Sequence, residues 1–329
     1  MVKEMNLINE YKKRLELLDK KMLEKNKKMH KITKRDKETT MIPLTFDSMF
    51  KSLFIKNKKY LKDFLLDVLH KDLEGKDIEI NILNNEAVKD NYDEYQKIAD
   101  IFLKLNDDIL LNIEVSRTKY KYRKLRNDRY IGKLMDTQIH SESDYINLFY
   151  KKIIQLNINA LEKNKLCSER EIVQYDKVTK EIICENPKVY IKYIENYRDL
   201  YYNGDRRRET IWFAFLASRT YSEAYTILLD LYDVKKAQSL MEEVIKLNNN
   251  NSLLSEWEEE RYAAYEKLYE MKDIEKESHD EGLQEGIEQK SNEVIINMLK
   301  ENTDINFISK VTNKPIEEIK KIASNLNLN

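Results

Sequence analysis

Glycine and proline are almost missing: the 329-residue chain has five of the first and three of the second. Collagen-like repeats and Gly/Ser or Pro-rich linkers need far more of both, and an all-β sandwich needs frequent turn residues, so these architectures are excluded or disfavoured. Cysteine is as scarce. Cys167 and Cys184 are the only two, and they fit neither a disulfide framework nor a C-x-x-C metal knuckle. The four histidines, His30, His70, His140 and His279, stand singly, which argues against a His-rich zinc site. Neither cysteine lies near a histidine in sequence, so Ser/His/Asp and Cys/His catalysis have no local motif. No G-x-x-x-x-G-K-[ST] or G-x-G-x-x-G occurs, so no nucleotide cofactor is expected. No apolar stretch approaches the ~18 residues of a membrane span, and residues 1–30 hold no apolar leader run. Together these absences predict a cytoplasmic chain with no membrane partner.

What is abundant is charge, unevenly spread. Charged residues make up 36%, yet the net charge is only −1. Residues 1–40 hold 13 Lys/Arg against 7 Asp/Glu. Apolar positions Leu7, Tyr11, Leu15, Leu18 and Met22 step by three or four, which predicts a basic amphipathic helical arm docked on the body. Residues 41–160 read as helix, helix, strand, strand, strand, helix, strand, a compact α/β core. Thr45 or Asp47 is placed to cap the first of those helices. Strands are expected at Ile78–Leu83, Ile98–Leu105, Ile109–Ser116 and within Tyr145–Leu161, with a basic helix over 117–138. One more strand is expected at Ile172–Tyr175. Residues 161–255 are otherwise mainly helical, with apolar spacings of three and four around Tyr190, Tyr193, Ile194 and Tyr197. Residues 256–293 hold 14 Asp/Glu against 5 Lys/Arg, an acidic, solvated helix. Residues 294–329 form a short helical module, with Asp304 as a cap and Pro315 in a first turn.

The segment 98–116 carries the chemistry. A three-residue loop at Asn106, Asp107 and Asp108, one of them left-handed, pairs Leu105 with Ile109 and sets Asp100 directly opposite Glu114. Side chains alternate along a strand. One face then carries Asp100, Phe102, Lys104, Asn112, Glu114 and Ser116, and the other is wholly aliphatic. Two carboxylates roughly 5 Å apart repel unless something positive lies between them. A divalent cation with oxygen ligands, Mg²⁺ or Mn²⁺, relieves that repulsion and activates water for phosphodiester hydrolysis. The plainer reading is a solvent-facing polar hairpin with incidental acids. Directly after Glu114, residues 117–133 hold eight basic residues against one acid. Arg117, Lys119, Lys121, Lys124 and Arg126, interleaved with Tyr120, suit the phosphates of a nucleic acid.

The ordered set Asp47-x-x-Phe50-Lys51-x-x-Phe54, Lys97-Ile98-Ala99-Asp100-Ile101, Asn112-Ile113-Glu114-Val115 and Arg126-x-x-x-Tyr130 resembles the PD-(D/E)XK nuclease family transposases, the recombination-promoting nuclease group. The Glu-Gly tract Glu281-Gly282-Leu283-Gln284-Glu285-Gly286 and the C-terminal text Asp304-Ile305-x-Phe307-Ile308-x-Lys310-x-Thr312 are similar to that group too. The resemblance covers about 41–160 and 280–322. It implies a restriction-endonuclease-like α/β core that cuts DNA with Mg²⁺, with Asp100 and Glu114 as metal carboxylates and Asp47 as a further acid nearby. Ser116 stands where the superfamily carries Lys and this branch commonly Gln. Two readings follow: Lys119 or Lys121 supplies the missing charge, or the chain is a silent copy that binds DNA or self-associates without cutting. A nuclease that breaks both strands is expected to pair as a homo-oligomer.

Overall fold

The computed structural model describes residues 2–28, 37–73, 77–83, 100–106, 108–117, 123–136 and 151–325. The chain divides into two compact units, Met1–Arg261 and Tyr262–Asn329. No described helix is long and apolar enough to cross a membrane.

In the first unit, helix α1 (Val2–Lys27) buries Leu15 completely and packs Tyr11 and Leu18 on the core, as its spacing predicts, whereas Leu7 of the same stripe is exposed. Helices α2 (Asp47–Lys56) and α3 (Lys58–Val68) bury Phe50, Leu53, Phe54, Phe64 and Leu65. Phe54 and Phe64 meet at 5.1 Å, and Phe64 lies edge-on to Trp212 at 5.5 Å. The single turn α4 (His70–Leu73) follows.

Six strands form one mixed sheet: β1 (Ile80–Ile82), β2 (Asp100–Leu105), β3 (Ile109–Ser116), β4 (Lys152–Asn159), β5 (Glu169–Tyr175) and β6 (Ile182–Tyr193), in the order β1-β2-β3-β4-β6-β5. The β1/β2, β2/β3 and β5/β6 pairs are antiparallel, and β3/β4 and β4/β6 are parallel. A parallel pair needs a crossover; between β3 and β4 it carries helix α5 (Arg123–Asp136). The aliphatic face (Ile101, Leu103, Leu111, Ile113, Leu156, Ile158) joins the α2 and α3 side chains in the main core. On the opposite face Phe102, Leu110 and Ile153 meet Leu134 and Tyr130 of α5.

Strand β6 corrects the helical reading of its segment. Tyr190 and Tyr193 lie in the strand, and helix begins only at Ile194. The three- and four-residue spacing there straddles a strand-to-helix junction, where both periods place an aromatic at the same positions. Helices α6 (Ile194–Tyr202), α7 (Arg208–Leu216), α8 (Tyr221–Leu228) and α9 (Val234–Asn248) complete the unit, and α7 is buried from Glu209 to Leu216. Helix α10 runs for 50 residues, Asn251–Lys300.

In the second unit α11 (Ile305–Thr312) and α12 (Ile316–Asn325) form a small cluster around Ile295, Leu299, Ile308 and Ile319. Asp304 caps α11 as expected, its Oδ1 accepting from the Phe307 amide at 3.1 Å.

Candidate active site

The expected hairpin register is present. Leu105 pairs with Ile109, and Asp100 lies opposite Glu114. Asn106 is the left-handed residue, with φ 49°, a conformation that Asn tolerates better than most. Its side chain also fixes the turn: Oδ1 accepts from the Glu79 amide at 2.8 Å, and Nδ2 donates to the Asp77 carbonyl at 3.2 Å. A one-residue slip would turn every side chain to the wrong face, so these bonds protect the placement of Glu114.

The face bearing Glu114 is not open to solvent. Glu114 is 1% exposed and Asn112 fully buried. Beside them runs a row of amides: Asn112 Nδ2 donates to Gln155 Oε1 at 2.8 Å, and Gln155 Nε2 donates to Asn157 Oδ1 at 3.0 Å. Asn157 is the β4 register partner of Glu114, and Asn159 that of Ser116. Keeping a carboxylate ionised at such depth costs several kcal/mol unless charge or hydrogen bonds offset it. Among the described residues no group of three or more His, Cys, Asp or Glu forms a metal cage. Two opposed acidic positions provide the hard oxygen ligands that Mg²⁺ combines with water and phosphate oxygens, so the donor chemistry fits such an ion.

The other expected residues scatter. Ser116 is half-buried at the end of β3, its carbonyl accepting from the Ala160 amide at 2.9 Å. Neither Thr45 nor Asp47 caps α2 with its side chain: Phe46 holds the cap position, its ring edge-on to Trp257 at 5.4 Å. Asp47 opens the helix and pairs with Lys51 at 3.1 Å, while Thr45 Oγ1 accepts from Arg117 Nη1 at 3.1 Å. Arg117 lies over the Trp257 ring at 4.9 Å and reaches Glu260 at 3.7 Å. Its guanidinium thus tethers the start of α10. Lys119 and Lys121 lie outside the described residues. Lys124 and Arg126 fall on the first turns of α5, and their side chains lie outside the description as well.

Two groups escaped the sequence reading. The amide row was signalled by Gln155-x-Asn157-x-Asn159, polar residues at the strand period facing the acidic strand. The second group is an ionic network on the opposite face. Asp72 takes Lys152, Lys188 at 3.6 Å and the Tyr190 hydroxyl at 2.6 Å, and Lys192, 2% exposed, joins Glu169 to Glu209. No short-range pattern marks it, because its members come from α4, α7, β4, β5 and β6.

A mixed sheet that opposes two acidic positions on a face roofed by a crossover helix defines a restriction-endonuclease-like α/β core, here with a mainly helical C-terminal extension. The chain belongs to the PD-(D/E)XK nuclease family transposases, whose family model matches residues 44–282. The match stops at 282, so nearly all of the resemblance over 280–322 lies beyond it. Neither the curated proteins nor the solved structures give a match.

Proposed function

We propose that the protein is a Mg²⁺-dependent DNA endonuclease, with Mn²⁺ able to replace the metal, acting in transposition or recombination. The observation that carries this reading is the register of Asp100 against Glu114, with Glu114 buried on a roofed face. Asp100 and Glu114 are the residues that would hold the ion. A divalent cation there supplies Lewis-acid polarisation of the scissile phosphate and a more acidic water. The chain's own part is to fix two carboxylate positions and to keep bulk water off Glu114. Lys124 and Arg126 then hold the DNA backbone without reading bases, which gives weak intrinsic sequence preference. Ser116, two residues after Glu114 on the same strand face, offers no positive charge to the attacking water. Hydrolysis adds that water across the P–O bond, leaving one phosphate monoester and one hydroxyl.

Nicking of supercoiled plasmid with Mg²⁺ or Mn²⁺, lost in both Asp100→Ala and Glu114→Ala, is the expected result. Metal-independent nicking, or nicking that survives both substitutions, overturns it. Ser116 favours a second reading, a silent copy that binds DNA and does not cut. That reading predicts no nicking and a binding constant that falls by about 0.9 log units per phosphate contacted for each tenfold rise in salt, unchanged in the two variants.

A further inference from the structure

Strand β5 ends the sheet, with β6 as its one neighbour. Among the described residues nothing pairs with its outer edge. An unpaired edge presents a row of N–H and C=O groups that another strand can join, and natural edges are guarded by charged side chains, above all Lys, by Pro, by bulges or by being very short. β5 has seven residues, EREIVQY, with no Lys and no Pro. Its ladder with β6 has two irregularities: Ile172 pairs with Val189 and Gln174 with Cys184, so β6 spends five residues where β5 spends two, and Tyr175 pairs with Ile182, so β6 then spends two where β5 spends one.

Beside the exposed Arg170, Glu171 and Gln174, several apolar side chains around this edge are exposed. Ile172 and Tyr175 on β5, Val178 in the turn, and Ile182 and Ile183 on β6 all face solvent, Val178 by 89% and Ile183 by 67%. The turn holds Val178 outward: Asp176 Oδ1 accepts from the amides of Val178 at 2.6 Å and Thr179 at 2.8 Å. Ile172, Tyr175 and Val178, the three on β5 and its turn, expose on the order of 300 Å², to which the backbone edge adds, against the ~800 Å² per partner of a standard-size interface.

We propose that the outer edge of β5 is the contact between two copies of this chain, paired antiparallel about a two-fold axis at Ile172. The sequence suits its own copy in that register. Ile172 meets Ile172, Arg170 meets Gln174, and Glu171 meets Val173, so no like charges are opposed. An axis at Glu171 would instead set two carboxylates face to face. The contact is isologous and closes at two copies. It does not depend on the nuclease reading.

Light scattering on the full chain, from about 1 to about 100 µM, spans the range in which an interface of this size is populated. The expected mass is twice 39.6 kDa, and Ile172→Lys is expected to return the monomer with its circular dichroism unchanged. A monomer throughout, or a dimer that Ile172→Lys leaves intact, overturns the proposal. Ile172→Cys, in a Cys167→Ser, Cys184→Ser background, guards against a folding defect. The two introduced thiols face each other across the axis, and diamide should join them as a disulfide while itself taking up the two hydrogens. Failure to cross-link also overturns it.

Discussion

Asp72 and Glu169 show how single residues tie this fold to pH. Burial pushes both carboxyls up, but the charges around them outweigh it. Hydrogen bonds from Lys152 and Tyr190, with the charges of Lys152 and Lys188, hold Asp72 below the ordinary carboxylate range. Lys192, the Lys71 charge and the Tyr197 hydroxyl do the same for Glu169. A carboxyl whose folded pKa is depressed stabilises the fold above its unfolded value, and that stability is lost as pH falls through the folded one. Thermal unfolding is therefore expected at a constant temperature from pH 7 to about 5, falling steeply below about pH 4, where free carboxylates take up protons. Lys152→Met should flatten the Asp72 part of that fall. A melting temperature indifferent to pH between 5 and 3 would refute the network's role. At this scale the sequence was informative where contacts are local. Asp100 and Glu114 are joined by a short turn, so counting residues outward from Asn106 was enough to oppose them. Arg117 meets Trp257 and Glu260 across some 140 positions of chain, and no period or spacing reaches that far.

Among the elements, α1 is joined to the body by polar contacts as well as by its apolar stripe, Tyr11 and Arg14 both reaching Glu242 of α9. Asp19 accepts from the Tyr221 amide at 2.9 Å, the Ser222 amide at 2.9 Å, the Ser222 hydroxyl at 2.6 Å and the Thr40 hydroxyl. The first amides of a helix have no partner within it, so α1 caps the N-terminus of α8. Asp19→Ala strands buried donors and is expected to cost about 1–3 kcal/mol, read as a lower urea midpoint; an unchanged midpoint would mean that the Asp19 contacts add nothing to the docking of the arm. Elements with a clean period were read well: β3 runs Ile109–Ser116 as expected, and the burial of Leu15 on α1 follows its spacing. β6 was missed because Asn186 and Pro187 interrupt it and its last aromatics continue into α6.

Over the whole molecule, burial is uneven. From Tyr262 to Lys290 nearly every described side chain of α10 is exposed, whereas α7 to α9 lie largely in the main core. A helix held mainly by its own ladder is marginal in water. Hydrogen exchange should therefore run at least ~100-fold faster over 265–290 than over 208–247, and equal protection in the two segments would show that α10 is covered in solution. The mixed sheet adds an order of events. β2 and β3 are joined by a short turn, but β3 meets β4 only after the chain has crossed from Ser116 to Lys152. Hairpins close in about 1–10 µs, while non-local parallel pairing is slower because a long loop must first be ordered. The two acidic strands are thus set against each other while still in water, and the crossover helix later seals a pair already assembled.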